Sequence, residues 1–421
     1  MKQTIIIVGA GAAGLISAWE LSLEKYNVIL LESQKQSGGR IQTQKLTDDY
    51  GVIERGAEFI HGRLPITLGL CEEANMTYIP VEGKMYRKEK NEWIEETQLI
   101  EGWTDLIKTM GSLKEDIGLG EFLLKTYPED KYADFRMRVI AFVEGFDIAD
   151  PNKASVKALY QEWSHEEEEN FRIPDGYGAL IRFIEHKCIE NGCTIIKGDA
   201  VKQIDWQNNE VIAHTASGKK YLSEKIIVTI PIGVLTDIAH KASINFTPAI
   251  DDRIAAASDI GYGTVIKVIL HFKTGFWKQD TRFIFSQEVF SLWWTQLPLR
   301  NNLLTGWAGG PKASHLSRHT DAELLEIALT CLANIFDKDI SEIRNNLKQS
   351  YVFNWQGYEE ALGAYSYATP QTTAARKLLN TPLENTIFFA GEGLYEGDYP
   401  GTVEAALASG KQVTKRVLGV H

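Results

Sequence analysis

The sequence predicts an α/β protein: a Rossmann-type domain on a parallel sheet, with a second, α+β domain inserted into it. Three observations carry that expectation. The chain has 421 residues, more than one hydrophobic core ordinarily fills, so two domains are expected. It opens on a strand, a glycine turn, an amphipathic helix and a second strand. Strand-like apolar runs then return in mid-chain and near the end, separated by helical stretches.

The opening unit is TIIIVGAGAAGLISAWELSLEKYNVILLE. Ala12, Leu15, Ile16, Trp19 and Leu23 keep helical spacing and VILLE is a second apolar strand, so the unit is βαβ. Gly9-x-Gly11-x-x-Gly14 occupies the first turn, with Ala12 and Ala13 inside it, and Glu32 ends the second strand. Small residues there let backbone amides approach a pyrophosphate at a helix N-terminus, and the carboxylate accepts from ribose hydroxyls. The competing reading is a turn kept for packing; the strand–turn–helix context favours a dinucleotide.

CTIIKGDAVKQIDW and KIIVTIPIGVL read as further strands of this sheet, and NTIFFAGEGL as a buried strand ending in glycine. TDAELLEIALTCLANIF opens with a Thr320-x-x-Glu323 capping box and keeps helical apolar spacing. The nucleotide domain is therefore expected to be discontinuous, from 1–69, 192–252 and 384–421, with 70–191 and 253–383 forming the substrate domain.

Composition bounds the function. At 44% apolar and 24% charged residues the chain is of soluble globular type, and no apolar run reaches membrane-spanning length. The first strand begins almost at once, which leaves no room for a signal peptide, so a cytoplasmic protein without a membrane partner is expected. Cys71, Cys188, Cys193 and Cys331 form no metal-type cluster, and no metal is expected. A net charge of −12 argues against a nucleic-acid partner. No feature sets an oligomeric state.

GYGTVIKVILHF, residues 261–272, is a strand with apolar residues on both faces that nevertheless carries Lys267. Taken alone, such a lysine covers apolar surface with its stem and reaches water with its head. A functional role needs a partner from elsewhere in the chain.

SQKQSGGRIQT places Gly38-Gly39-Arg40 just past the ribose carboxylate, where nicotinamide enzymes need no such turn and an FAD protein can use an arginine. With the glycine turn and acidic strand end, this resembles the FAD signature of the flavin-containing amine oxidase family, and the resemblance runs nearly the whole length, closest to polyamine and spermine oxidases. IERGAEFIHGRLPI is similar to the family's turn beside the flavin, which implies Gly56, Ala57 and Glu58 against the cofactor and His61 toward substrate. Lys267 lies where the family's lysine holds a water near flavin N5. FNWQGYEEALGAYSYATP matches the segment of aromatic walls, implying Trp355 near the cofactor and Tyr365 as one wall of an amine cage. Monoamine oxidases carry a flavin-linking cysteine where this chain has Ala364, which implies non-covalent FAD. The closing FFAGEGLYEGDYPGTVEAALASG implies Gly391, Glu392, Gly401, Thr402 and Val403 as cofactor contacts, joined by Val201. Register places Asp398 at the usual second wall, so Tyr399 or Trp293 is expected to substitute.

The resemblance implies hydride transfer from a neutral amine to the flavin, hydrolysis of the imine, and O2 reduced to H2O2, with polyamines or related primary and secondary amines as substrates. Glu58 and His61 could then anchor a distal ammonium. Three rival readings stand beside it: an L-amino-acid oxidase, for which Arg63 is the cation near the flavin-lining motif; a partner- or chromatin-binding flavoprotein; and a nicotinamide dehydrogenase, disfavoured by the single fingerprint. Glu166–Glu169 read as a solvated face, Asp175-Gly176-Tyr177-Gly178 as a structural turn, and His165, His315 and His319 carry no assigned chemistry.

Overall fold

A computed structural model describes residues 3–46, 51–89, 92–96, 100–164 and 169–420. Five parallel strands form the first sheet, in the order Thr194–Lys197, Asn27–Glu32, Thr4–Val8, Lys225–Val228, Ile387–Phe389. The central strands are covered on both faces, which is why they read as continuous apolar runs. Ile5 and Ile7 face the helices Ala12–Leu23, Tyr177–Glu190 and Val403–Leu418. Ile6 and Val8 face a layer that includes the antiparallel strand Val201–Gln207 and the helices Asp251–Ser258 and Thr372–Asn380.

Three placements differ from the sequence-based expectation. Only Thr194–Lys197 of the CTIIKGDAVKQIDW stretch joins the parallel sheet; Val201–Gln207 turns into a separate four-stranded sheet, pairing with Glu210–Thr215. Helix Tyr177–Glu190, inside the 70–191 segment, packs on the glycine-turn helix through Tyr177, Leu180, Ile181, Ile184 and Cys188, a stripe at helical spacing. The Cys188 thiol reaches the Leu15 carbonyl at 3.3 Å. Helix Asp251–Ser258, which crosses the 252 boundary, and helix Thr372–Asn380, which lies wholly before 384, likewise cover this sheet, because its second face needs an apolar lid.

The second sheet has seven strands, in the order Leu347–Asn354, Val265–Phe272, Leu303–Gly309, Leu292–Thr295, Thr281–Phe285, Lys84–Glu89, Glu92–Glu96. On one face Ile266, Val268, Leu270 and Phe272 pack against helix Asp321–Phe336. That helix opens with the reciprocal Thr320/Glu323 capping box. The other face carries Val265 and Lys267 toward the interior of the molecule. A separate apolar layer of the helices Trp103–Gly111, Leu119–Thr126, Ala133–Gly145 and Val156–Ser164 completes the fold. No helix among the described residues is long and apolar enough to cross a membrane.

Gly14 shows what the glycine turn demands. A Cβ there would run into the Gly9 carbonyl oxygen, so the helix can sit this close to the strand only with glycine at that position. Gly14→Ala gains up to about 1 kcal/mol of helix propensity, but overpacking costs about 1–3 kcal/mol and leaves the change net destabilising. Urea unfolding monitored by circular dichroism is expected to show a lower midpoint.

Candidate active site

One cavity of about 1640 Å³ runs from the C-terminal edge of the parallel sheet to the inner face of the seven-stranded sheet. Its sheet end is lined by Gly9, Gly11, Ala12, Ala13 and Glu32. Gly11 has nothing within 4 Å of where its Cβ would stand, and the same holds for Gly391 across the cleft. Glu32 is held by its own turn: Oε2 accepts from the Ala10 amide at 2.6 Å and Oε1 from the Gln34 amide at 2.8 Å. Burial raises the Glu32 carboxyl above its ordinary value, and those amide bonds oppose the rise. Gly14 is the exception, buried behind the turn and outside the lining, with the packing role given above.

Farther along, Gly39, Arg40, Gly56, Ala57, Val201 and Trp355 line the same cleft. Arg40 donates to the Ala364 carbonyl at 2.6 Å and to Glu392 Oε1 at 2.7 Å, while Glu392 Oε2 accepts from the Ser366 hydroxyl at 2.6 Å. Gly56 has no room for a side chain, since a Cβ would strike the Arg40 carbonyl oxygen. Gly401, at φ 69°, turns the chain into helix Val403–Leu418, and the Thr402 hydroxyl accepts from the Ala405 amide at 3.1 Å. The glycine-cleared walls, the carboxylate at the second strand's end and helix N-termini at Ala12 and Val403 fit a dinucleotide laid across the sheet edge.

Beyond the cleft lies a chamber of aromatic residues with one buried ion cluster in its wall. Lys267 is 1% exposed and donates to Glu58 Oε2 at 2.6 Å and to the Gly56 carbonyl at 3.3 Å, with its ammonium 5.3 Å from the centre of the Trp294 ring. Glu58 Oε1 accepts from Trp294 Nε1 at 3.0 Å and Gln296 Nε2 at 3.1 Å and pairs with Arg172 Nη2 at 3.1 Å. Burial alone would raise the Glu58 carboxyl; the Lys267 and Arg172 charges outweigh it and hold the group below its ordinary value. Glu58 is thus a counter-ion to Lys267, and its acceptor sites are committed to the protein rather than open for a substrate ammonium.

His61, Phe59, Phe146, Tyr365 and Tyr399 also line the chamber. Tyr365 donates to the Phe146 carbonyl at 2.6 Å, and its ring packs on Gly401. Burial, and after it the carboxylates of Asp147, Glu162 and Glu392, push the Tyr365 hydroxyl well above its ordinary value, so it stays neutral. His61 Nδ1 lies 2.9 Å from Asn170 Oδ1, and burial pushes the imidazole below its ordinary value. The expectation for Trp293 is corrected. Its ring lies on the opposite face of the sheet, donating to the Phe290 carbonyl within the apolar core. Side chains alternate along a strand, so Trp294, one residue on, takes the chamber side. Asp398, at the expected second-wall position, accepts from Gln161 at 3.0 Å and lines the cavity beside Tyr399.

Arg172, Trp294, Gln296 and Glu54 have no counterpart in the sequence reading; strand parity sets Trp293 and Trp294 on opposite faces without saying which is the core. Glu54 accepts from the Thr43 hydroxyl and, at 2.6 Å, the Tyr177 amide, and burial pushes it up to about 7. The Gly176-Tyr177 turn makes that contact, since a Cβ at Gly176 would strike Thr43 and Glu54. Arg63 is exposed, pairs with Glu169 at 3.2 Å and lies outside the cavity lining. His315 and His319 contact the Pro311 and Leu316 carbonyls at the surface; His165 and Glu166–Glu168 lie outside the described residues. All four cysteines are free, and no metal-type cluster exists among the described residues.

A sequence model described as flavin containing amine oxidoreductase matches residues 120–418, and one for an NAD(P)-binding Rossmann-like domain matches residues 7–73. Polyamine oxidase 2 of Arabidopsis thaliana is 23% identical, over 97% of this chain and 86% of its own length. Human lysine-specific histone demethylase 2 is 24% identical over 99% of this chain, which spans only 53% of that protein. Among solved structures, a putrescine oxidase bound to putrescine superposes with a TM-score of 0.82 at 17% identity, covering 100% of this chain and 99% of the other. Cyclohexylamine oxidase from Brevibacterium oxydans superposes at 0.81 and 17% identity, covering 100% and 99%. At such identities these two likenesses speak for the fold.

Two outcomes follow from the geometry. Gly11→Ala meets no protein atom, so its stability is expected to stay within about 0.5 kcal/mol of the parent, while dinucleotide retention after desalting falls; equal retention would remove the cradle assignment. The Glu54 carboxyl is raised when folded, so stability is expected to fall as pH rises from about 4.5 to about 7. Glu54→Gln is expected to flatten that segment in denaturation series run at pH 5 and pH 8.

Proposed function

The chain belongs to the flavin containing amine oxidoreductase family, and from that premise we propose that it is an FAD-dependent oxidase of polyamines or related primary and secondary amines, with O2 as electron acceptor and H2O2 as product. The observation that carries the reading is a buried lysine ammonium at the junction of the dinucleotide cleft and an aromatic chamber. Bound flavin supplies the two-electron chemistry, taking hydride from the carbon next to nitrogen and passing the electrons to oxygen. The residues of the cleft fit that cofactor, and Ala364 offers no thiol, so it is held without a covalent bond.

The chain's own groups bind and orient. Tyr365, fixed through its hydroxyl, and Tyr399 present ring surfaces to an amine, which aromatic faces guide by cation–π or lone-pair contacts. His61 is held neutral at pH 7 by burial; with Nδ1 donating to Asn170 Oδ1, its Nε2 is an acceptor for a substrate N–H. With Glu54 protonated, Lys267 and Arg172 leave the chamber wall by Glu58 net positive, which disfavours an ammonium and favours a neutral amine at the reacting position. A distal ammonium is better received where Asp147, Glu162 and Asp398 line the cavity. Glu58 therefore orients Lys267 and leaves polyamine anchoring to that end.

Anaerobic mixing with spermidine, putrescine, benzylamine, cyclohexylamine and L-amino acids, followed at the flavin band near ~450 nm, tests the reading. Bleaching by the diamines and polyamines ahead of the amino acids is expected, with kcat/KM rising with pH through the substrate amine's own pKa. Bleaching by amino acids alone, or by no amine, would overturn it.

A further inference from the structure

We infer that Arg172 is a positioning residue of the reaction: it clamps Glu58 from behind, so that Glu58 aims the Lys267 ammonium at the junction of cleft and chamber. The inference deepens the amine oxidase reading and rests on it. Lys267, Glu58 and Arg172 come from three distant segments, and their side chains are 1%, 5% and 5% exposed. Glu58 divides its oxygens between the two cations, Oε2 to Lys267 at 2.6 Å and Oε1 to Arg172 at 3.1 Å. Arg172 lies outside the cavity lining, so it acts on the chemistry by holding Glu58 and by its charge, not by touching a ligand there.

Its own placement is over-determined. Nη1 donates to Gln296 Oε1 at 2.5 Å, while Gln296 Nε2 donates to the same Glu58 oxygen that Arg172 contacts. The guanidinium also lies 5.0 Å from the centre of the Phe59 ring. A carboxylate held by one cation can swing; one held by two cations, an indole N–H and an amide N–H cannot. With Glu54 protonated, two buried cations and one buried anion leave a net positive charge, which complements the negative charge that a flavin and oxygen acquire on reduction; ionised Glu54 cancels it. The titratable groups facing the cluster are Glu58 itself, from the turn after strand Val52–Glu54, Arg172 from strand Asn170–Arg172, and Glu54, on which the charges of Lys267 and Glu58 act and whose own charge acts on Arg172.

The test uses the flavin-loaded protein photoreduced with oxalate as the sacrificial electron donor, which needs no amine, and compares Arg172→Gln, Arg172→Lys, Lys267→Met and the Arg172→Gln/Lys267→Met double variant. Reoxidation by O2, the flavin midpoint potential and the melting temperature are read for each. Arg172→Gln is expected to slow reoxidation by about tenfold or more and to shift the potential in the same direction as Lys267→Met. The double variant is expected to be no slower than Lys267→Met alone, and Arg172→Lys to recover part of the loss. Gln296→Leu, which removes a bond to both Glu58 and Arg172, is expected to give a smaller shift of the same sign and serves if Arg172→Gln does not fold. A lower melting temperature with unchanged potential, or rate losses that multiply in the double variant, would overturn the inference. Failure of every amine to bleach the flavin would sink the amine reading while leaving this comparison readable.

Discussion

The contact between Lys267 and Glu58 is the constraint around which the interior is arranged. Burying an ammonium in a sheet core costs several kcal/mol, and hydrophobic neighbours offset none of it. The compensation comes from a turn, Gly56-Ala57-Glu58, that delivers both a carboxylate and a backbone carbonyl to the same nitrogen. That turn is in turn fixed by the dinucleotide cleft: Gly56 abuts the Arg40 carbonyl, the Ala57 amide donates to it at 3.3 Å, and Trp355 Nε1 donates to the Arg55 carbonyl at 3.0 Å. A single loop therefore couples the wall of the cofactor cleft to the charge that faces the chamber. Removal of one partner would leave the other charged and buried, the costly case for such pairs.

The same rule, a buried charge held by fixed partners, ties the ends of the chain together. Arg40 from the N-terminal unit meets Glu392 from the C-terminal segment, and Ser366 completes the carboxylate. Glu404, in the first turn of the closing helix, accepts from the Ile66 and Thr67 amides at the start of helix Pro65–Glu73. Those amides are unpaired at any helix start, and a buried carboxylate from a distant segment satisfies them. The segments that build the first sheet are thus joined by charge-assisted hydrogen bonds as well as by the apolar layers on that sheet.

How much of this the sequence reveals depends on the range of the interaction that decides each residue. The βαβ unit, the Thr320/Glu323 capping box and the placement of Gly11 and Glu32 are settled within some 30 residues by turn geometry and apolar periodicity, and are legible. Lys267 stands out because a lysine among β-branched neighbours conflicts with its surroundings. Its partner is not legible, because Glu58 could equally serve a ligand until Arg172, Trp294 and Gln296 are seen to use up its oxygens. Choosing Trp293 over Trp294 is a parity question: both lie in strand Leu292–Thr295, and only the helix Asp321–Phe336 on one side decides which face is core. The helix Tyr177–Glu190 carries an apolar stripe that says it is buried, but not against which sheet.

The location of charge in the chamber also constrains what it can accept. A second ammonium about 5 Å from Lys267 would meet a repulsion of roughly 3 kcal/mol at an effective dielectric of 20, reduced by Glu58 and restored in part by Arg172. The repulsion from Lys267 alone would correspond to about two pKa units; the part that Glu58 leaves still favours an amine that enters this end without its proton. Asp147, Glu162 and Asp398 also line the cavity, and the charges of the first two are felt by Tyr365. The carboxylates of Asp147 and Glu162 near Tyr365 thus favour a cation, whereas the ion cluster around Lys267 disfavours one. A ligand with one neutral and one protonated nitrogen matches those two environments in a single orientation, whereas a zwitterionic amino acid carries its ammonium and carboxylate on one α-carbon and cannot divide them between the two.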